Sequence, residues 1–131
     1  MTLMKNIKKI SPISTDQRGI ISKLFDNDLE IVSVLYITSK KGSVRANHYH
    51  KKDVHYIYLI KGKVEYTYQK VGGKNNKKNT VTVDEGYMIK TPEMTMHAVK
   101  FLKDSEFLAF SIRPRDRKSY ENDTVRVKLV E

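Results

Sequence analysis

Short runs of β-branched and aromatic residues, cut apart by Gly, Pro, Asn or Asp, fill most of this chain and restrict it to an all-β architecture. Residues 20–25, 31–38, 54–60, 64–69, 80–83, 87–89, 96–102, 107–112 and 125–130 each read as a strand. A sustained apolar period of 3.6 bounded by caps occurs nowhere, so no helix is expected. Many short strands with turns between them fold as a sandwich or a barrel. The length suits one compact domain, residues 1–131.

Within that pattern all four histidines fall on two spaced motifs. The first reads Gly42, five residues, His48, one residue, His50, four residues, His55, six residues, Gly62; the second reads Gly86, five residues, Pro92, four residues, His97. Residues two apart on a strand share a face, so His48 and His50 present both imidazoles to one side. Lys51, Lys52 and Asp53 make a polar break. On the next run His55, Ile57 and Leu59 share a face, which turns His55 back toward the same interior. A lone strand histidine is usually a packed or surface residue, but four of four on two patterns, with Gly and Pro at the matching turns, point to one site. His48, His50, His55 and His97 together make a workable ligand set for a divalent transition metal: zinc, nickel, iron or manganese.

These motifs resemble the paired motifs of the cupin superfamily, and the resemblance spans residues 42–101. It implies a double-stranded β-helix, the jelly-roll cupin barrel. His48, His50 and His97 occupy the usual ligand positions, and His55 stands where a glutamate is commonest. Met94 replaces the glycine usual two residues after the motif proline, and Phe101 stands where the second motif often ends in asparagine.

Two arginines narrow the resemblance. Asp16-Gln17-Arg18-Gly19 looks like the Asp-x-Arg-Gly element of the sugar-nucleotide cupins, the dTDP-4-dehydrorhamnose 3,5-epimerases and dTDP-sugar 3,4-ketoisomerases. Arg45-Ala46-Asn47-His48-Tyr49-His50 is similar to their Arg-Gly-x-His segment, with Ala46 in place of the glycine. The tail from Ala109 to Val127 does not match the ketoisomerase ending. The resemblance implies that Arg18 and Arg45 contact a nucleotide diphosphate or sugar and that His48 is a proton-abstracting base. Taken alone, the residue 16–19 element reads as a turn, with Asp16 bonding local amides and Gly19 supplying a positive dihedral.

The chemistry implied is isomerisation or epimerisation of a nucleotide-linked keto sugar in surface-polysaccharide synthesis. Carbons beside a carbonyl carry acidic protons, so the reaction needs a base near neutral pKa, an acid opposite, and positive charge at the enolate oxygen. Tyr36, Tyr49 and Tyr120 are the candidate acids. A metal or a cationic side chain would supply the charge. A histidine that ligates metal is not also a free base, so the two readings of His48 are rivals, and His55 favours the metal. The alternatives are a metal-dependent dioxygenase-type enzyme and a non-catalytic sugar-binding cupin.

Composition bounds the rest. The net charge of +10 is carried mostly by lysines scattered through strands and loops, with no nucleic-acid-binding module, and reads as a solvated face. Cysteine is absent, which excludes disulfides and thiolate ligands. The first ten residues lack the apolar core of a signal peptide, and no stretch approaches the roughly 20 apolar residues of a membrane span, so a cytoplasmic location is expected. Val54, Tyr56, Tyr58 and Ile60 form a second apolar face that needs cover, from a homodimer partner or from the chain's own termini. The Gly- and Asn-rich segment 71–79 is expected to be a mobile hairpin tip.

Overall fold

The computed structural model describes residues 6–25, 30–72 and 76–131. Twelve strands and one short helix are found among them: β1 Ile7–Lys9, β2 Pro12–Asp16, β3 Gly19–Ser22, β4 Ser33–Ser39, β5 Val44–His50, β6 His55–Lys61, β7 Lys63–Lys70, β8 Asn79–Asp84, β9 Tyr87–Thr91, β10 Thr95–Phe101, β11 Ser105–Ser111, α1 Arg117–Asp123 and β12 Thr124–Arg126. Two five-stranded antiparallel sheets, ordered β1-β9-β6-β11-β4 and β12-β5-β10-β7-β8, share one core, and β2–β3 forms a separate hairpin. This is the jelly roll that the cupin resemblance implies.

Alternation along the strands builds the core. Leu59, Ile89, Phe107 and Ala109 of the first sheet meet Val64, Tyr66, Val99 and Phe101 of the second. Phe101 and Phe107 stack at 5.6 Å between ring centroids, so Phe101 is a core residue and not part of a polar pocket wall. Gly62 is needed at the β6–β7 turn: φ is +114°, and a Cβ there would stand 2.9 Å from the Ser105 Cα.

Several expectations are corrected. Strand β3 stops at Ser22, and Phe25 leaves the hairpin to pack edge-on against Tyr56 and Phe110, at 5.2 and 4.9 Å. The chain thus covers part of the apolar face of β6 itself. The last strand ends at Arg126; the segment after it is tied down by Asn47, whose Oδ1 accepts from the Leu129 and Val130 amides and whose Nδ2 donates to the Val130 carbonyl. Helix α1 was not expected. It is capped by Asp116, whose carboxylate accepts the Ser119 amide, and it buries no residue fully, so it carries no apolar stripe to betray it. The centre of the 71–79 tip and residues 1–5 of the leader region lie outside the described residues. The tip's flanks are anchored: Gln69 Nε2 donates to the Asn76 carbonyl and Lys78 Nζ to the Leu129 carbonyl.

Candidate active site

The histidines meet because of how β5 is bent. His97 of β10 lies directly opposite His48, but the next pair is Ala98 with Ala46, so Asn47 is an extra residue bulged out of β5. Ala46 and Asn47 both carry positive φ, +73° and +54°, the left-handed conformation that a glycine at position 46 would take without strain. Met94 is also left-handed, at φ +56°, and its N–H donates to the His50 carbonyl at 2.7 Å. The two departures from the motif glycines therefore sit at strained positions beside the site.

His48, His50 and His97 are all buried and offer ring nitrogens within 4.8 Å of one another. Hydrogen bonds to the outer nitrogens define the tautomers of His97 and His50. His97 Nδ1–H donates to the Thr95 carbonyl at 3.0 Å, leaving Nε2 bare. The Thr124 hydroxyl spends its proton on the Tyr120 carbonyl at 2.5 Å, so at 3.3 Å it accepts from His50 Nδ1–H. His50 Nε2 is then a bare lone pair, and among the described residues it is the one fully buried side-chain polar atom with no partner. Burial, then the neighbouring imidazoles, push His48 down to about 2 and His50 to about 3; burial pushes His97 to about 4. All three are neutral at physiological pH.

His55 departs from the fourth-ligand expectation. Its ring stands 4.1 Å from that of His50, yet its Nε2 lies 2.7 Å from Asp53 Oδ2, and it is not among the three residues whose ring nitrogens converge. Asp53 lies in the polar break before β6, but it is buried and bonded to His55. Its backbone amide is held by the Asp123 carboxylate at 3.0 Å, and its Oδ1 accepts the Ile112 amide at 3.2 Å. Burial works to raise the Asp53 carboxyl, but the His55 bond and charge outweigh it and hold it below the usual carboxylate range.

A cavity of about 160 Å³ opens over the histidines, and Arg45, His48, His55, His97, Arg115 and Tyr120 line it. Tyr120, brought by α1, has its ring 5.5 Å from His50 and 6.2 Å from His48. The Arg115 guanidinium stacks over Tyr120 at 4.6 Å. Arg45 also lines an adjoining groove of about 710 Å³ with Tyr36, Ser39, Lys40, Lys61 and Glu106. Its Nε donates to Ser39 Oγ at 2.5 Å and one Nη to the Thr38 carbonyl at 3.0 Å, so its orientation is fixed.

The other proposed residues stand elsewhere. Tyr36 is 61% exposed, bonds Glu106 at 2.5 Å, and lines the groove and not the histidine cavity. Tyr49 alternates with the inward His48 and His50, sits opposite Val125, and is absent from the cavity wall. Arg18 lies on the β2–β3 turn, its side chain 83% exposed and paired with Asp16 at 2.7 Å, while Gly19 has φ +136°. In its own chain it lines neither cavity, and the turn reading of residues 16–19 describes it. Asp53, Arg115 and Thr124 are site residues that spacing alone did not single out.

The polysaccharide biosynthesis C-terminal domain model matches residues 14–124. No curated protein matches the chain in sequence. Among solved structures, QdtA, a sugar 3,4-ketoisomerase from Thermoanaerobacterium thermosaccharolyticum in complex with TDP, matches at 19% identity and a TM-score of 0.74 over 92% of this chain and 88% of that one. WlaRA, a TDP-fucose 3,4-ketoisomerase from Campylobacter jejuni, matches at 17% and 0.73 over 91% and 86%. The 3,5-epimerase RmlC from Legionella pneumophila in complex with dTDP-4-keto-L-rhamnose matches at 14% and 0.77 over 95% and 72%. The chain thus shares its jelly-roll fold with these structures, and it belongs to the polysaccharide biosynthesis C-terminal domain family.

Proposed function

We propose that this protein is an isomerase or epimerase acting on a nucleotide-linked keto sugar, with a divalent transition metal held by His48, His50 and His97. The observation that carries the reading is the cavity itself, where the imidazoles of His48, His55 and His97, the Tyr120 ring and two arginines surround a space suited to one sugar ring. Its volume is below the roughly 300–1,000 Å³ of drug-sized ligand pockets. The adjoining groove, which shares Arg45, has room for the remainder of a nucleotide sugar. Arg45 suits a diphosphate because its guanidinium is pre-set by Ser39 and Thr38.

The donor set fits a metal. Bare Nε2 atoms on His50 and His97, with each opposite nitrogen tied to a hydroxyl or carbonyl, are the arrangement metal-binding imidazoles adopt. A metal bound there supplies a Lewis acid for a substrate oxygen. This assignment supports the ligand reading of His48 over the base reading, since an imidazole held near 2 accepts few protons at neutral pH. Proton transfer falls to the groups facing the cavity outside the triad: Tyr120, and His55 oriented by Asp53.

A homodimer completes the reading. Among the described residues, hairpin β2–β3 pairs only with itself and exposes Ile13, Ile20 and Ile21, and the outer face of β4 and β6 exposes Val34, Tyr36 and Ile60. Arg18, remote from its own chain's cavity, would serve a substrate across such an interface. No helix among the described residues is long and apolar enough to cross a membrane.

The test is proton exchange. Incubation with TDP-4-keto-6-deoxyglucose, the sugar that one structural neighbour binds, in deuterated water is expected to label a carbon beside the carbonyl. Absence of exchange with this sugar and with its uridine-linked counterpart would sink the proposal.

A further inference from the structure

The cavity contains a cation whose hydrogen-bonding capacity is largely unspent. Arg115 is half buried, whereas Arg113, Pro114, Asp116 and Arg117 around it are exposed. Its Nη1 donates to Ser111 Oγ at 3.0 Å, and Ser111 is fully buried. The same Nη1 stands 3.3 Å from His55 Nε2, but that nitrogen faces the Asp53 carboxylate at 2.7 Å and so carries a proton of its own. The contact is therefore donor against donor and satisfies neither group. Nε and Nη2 make no hydrogen bond among the described residues. Stacking on Tyr120 and the bond to Ser111 hold the guanidinium plane in place. A purely structural arginine would be expected to spend its five donors on protein acceptors. This one is braced by two contacts and lines the histidine cavity.

We propose that Arg115 is the catalytic group that binds the substrate's carbonyl oxygen as it becomes an enolate oxygen, a role that rests on the keto-sugar reading above. In that step a base takes a proton from the carbon beside the carbonyl. The C–H electron pair becomes the C=C bond, the carbonyl π pair moves onto oxygen, and the free N–H groups of Arg115 meet the charge there. Return of a proton to carbon restores the C=O bond and releases the guanidinium, so no oxidant or reductant is consumed. Arg45, on the shared wall of the two cavities, is left for the phosphates, and the two arginines divide ground-state binding from transition-state stabilisation.

The experiment compares wild type, Arg115→Gln and Arg115→Lys in the deuterium-exchange assay with TDP-4-keto-6-deoxyglucose, alongside TDP affinity by calorimetry and thermal melting. For Arg115→Gln, kcat is expected to fall by about 10²–10³ with KM and TDP affinity nearly unchanged, the cost usual for removing one oxyanion donor. Arg115→Lys keeps the charge without the fork and should retain an intermediate rate. Guanidinium ion at non-denaturing concentration should restore part of the activity of Arg115→Ala. A folded Arg115→Gln with wild-type kcat, a loss confined to KM and TDP affinity, or no guanidinium rescue would each overturn the proposal. Failure of the wild type to exchange any proton would bring down the keto-sugar reading and this role with it, whereas exchange in wild type and Arg115→Gln alike removes the role alone.

Discussion

Thr124 decides which nitrogen of His50 is bare. Its hydroxyl has one proton, and that proton goes to the Tyr120 carbonyl, so the oxygen accepts from His50 Nδ1–H and leaves Nε2 open toward His48 and His97. Helix α1 and the strand after it thereby set the donor geometry of a site built on other strands.

This coupling predicts that Thr124→Val weakens metal binding by about 10–100-fold, the usual loss when an outer partner of a ligating imidazole is removed. Thr124→Ser should stay near wild type because it keeps the hydroxyl. Competition between cobalt(II)-loaded protein and a chelator, followed through the visible absorption of the ion, measures both. Equal affinity for wild type and Thr124→Val would show that Thr124 does not hold the tautomer.

The bulge before His48 yields a second prediction. Ala46 sits at φ +73°, which costs a non-glycine residue about 1–2 kcal/mol, while glycine loses about 0.4–1 kcal/mol more chain entropy on folding. Ala46→Gly should therefore stabilise the protein by about 0.5–1 kcal/mol, seen as a higher urea midpoint with an unchanged m-value. Asn47 is the contrasting case. It tolerates the left-handed region but makes three hydrogen bonds to the segment beyond β12, so Asn47→Ala should cost about 2–3 kcal/mol at about 1 kcal/mol per bond.

Those neighbouring residues also show what was legible in the sequence. The period of two places His48 and His50 on one face and the strand pattern calls for a sandwich or barrel, whereas the jelly roll and the place of His97 beside them rest on the cupin resemblance, and the same reading added His55 as a fourth ligand. Asp53 lay beyond that rule, because it precedes β6 in a row of three polar residues and reaches the site through its bonds to His55, Asp123 and Ile112. Helix α1 had no such signal. It is seven residues long, has one side-chain cap, and is positioned by the Lys52 and Asp53 amides, which donate to the Asp123 carboxylate. Arg115 and Tyr120 enter the cavity only because that tertiary docking brings them there. Arg18 and Tyr36 show the converse: a motif or a residue type suggested chemistry, while in this chain alone the backbone carries both away from the histidines.

Acid sensitivity follows from the buried imidazoles. His48, His50 and His97 lie at about 2, 3 and 4 in the folded protein against 6.5 when unfolded, so below 6.5 the unfolded chain binds protons that the folded one does not. Stability of the metal-free protein is thus complete above pH 6.5 and falls as pH drops toward those folded values. The slope is bounded at about 1.4 kcal/mol per pH unit for each histidine, and for the three together a loss on the order of 5 kcal/mol between pH 6.5 and 5 is expected. Asp53, held low, adds its own loss only below its ordinary value of 3.8. Urea midpoints measured across this range with a chelator present would show the decline. A flat profile would mean that the three rings protonate in place.

The hairpin supplies the last prediction. An isolated pair of strands is marginal in water, yet β2–β3 holds together with Ile13 64%, Ile20 62% and Ile21 59% exposed. The outer sheet face offers a matching apolar surface at Val34, Tyr36 and Ile60, where charge would have been the simplest protection for a free edge. A second copy that covers both surfaces resolves the exposure and would carry Arg18 to a neighbouring cavity. Sedimentation at micromolar concentration should then give twice the 15.2 kDa chain mass. The double variant Ile20→Lys, Ile21→Lys should run as a monomer and keep its circular dichroism, because those side chains touch little in their own chain. It should also lose substrate affinity, since Arg18 then has no cavity to serve, whereas Arg18→Ala should lose that affinity and remain dimeric. A wild type that sediments as a single 15.2 kDa species would end the dimer reading and leave the hairpin's exposed isoleucines without a cover.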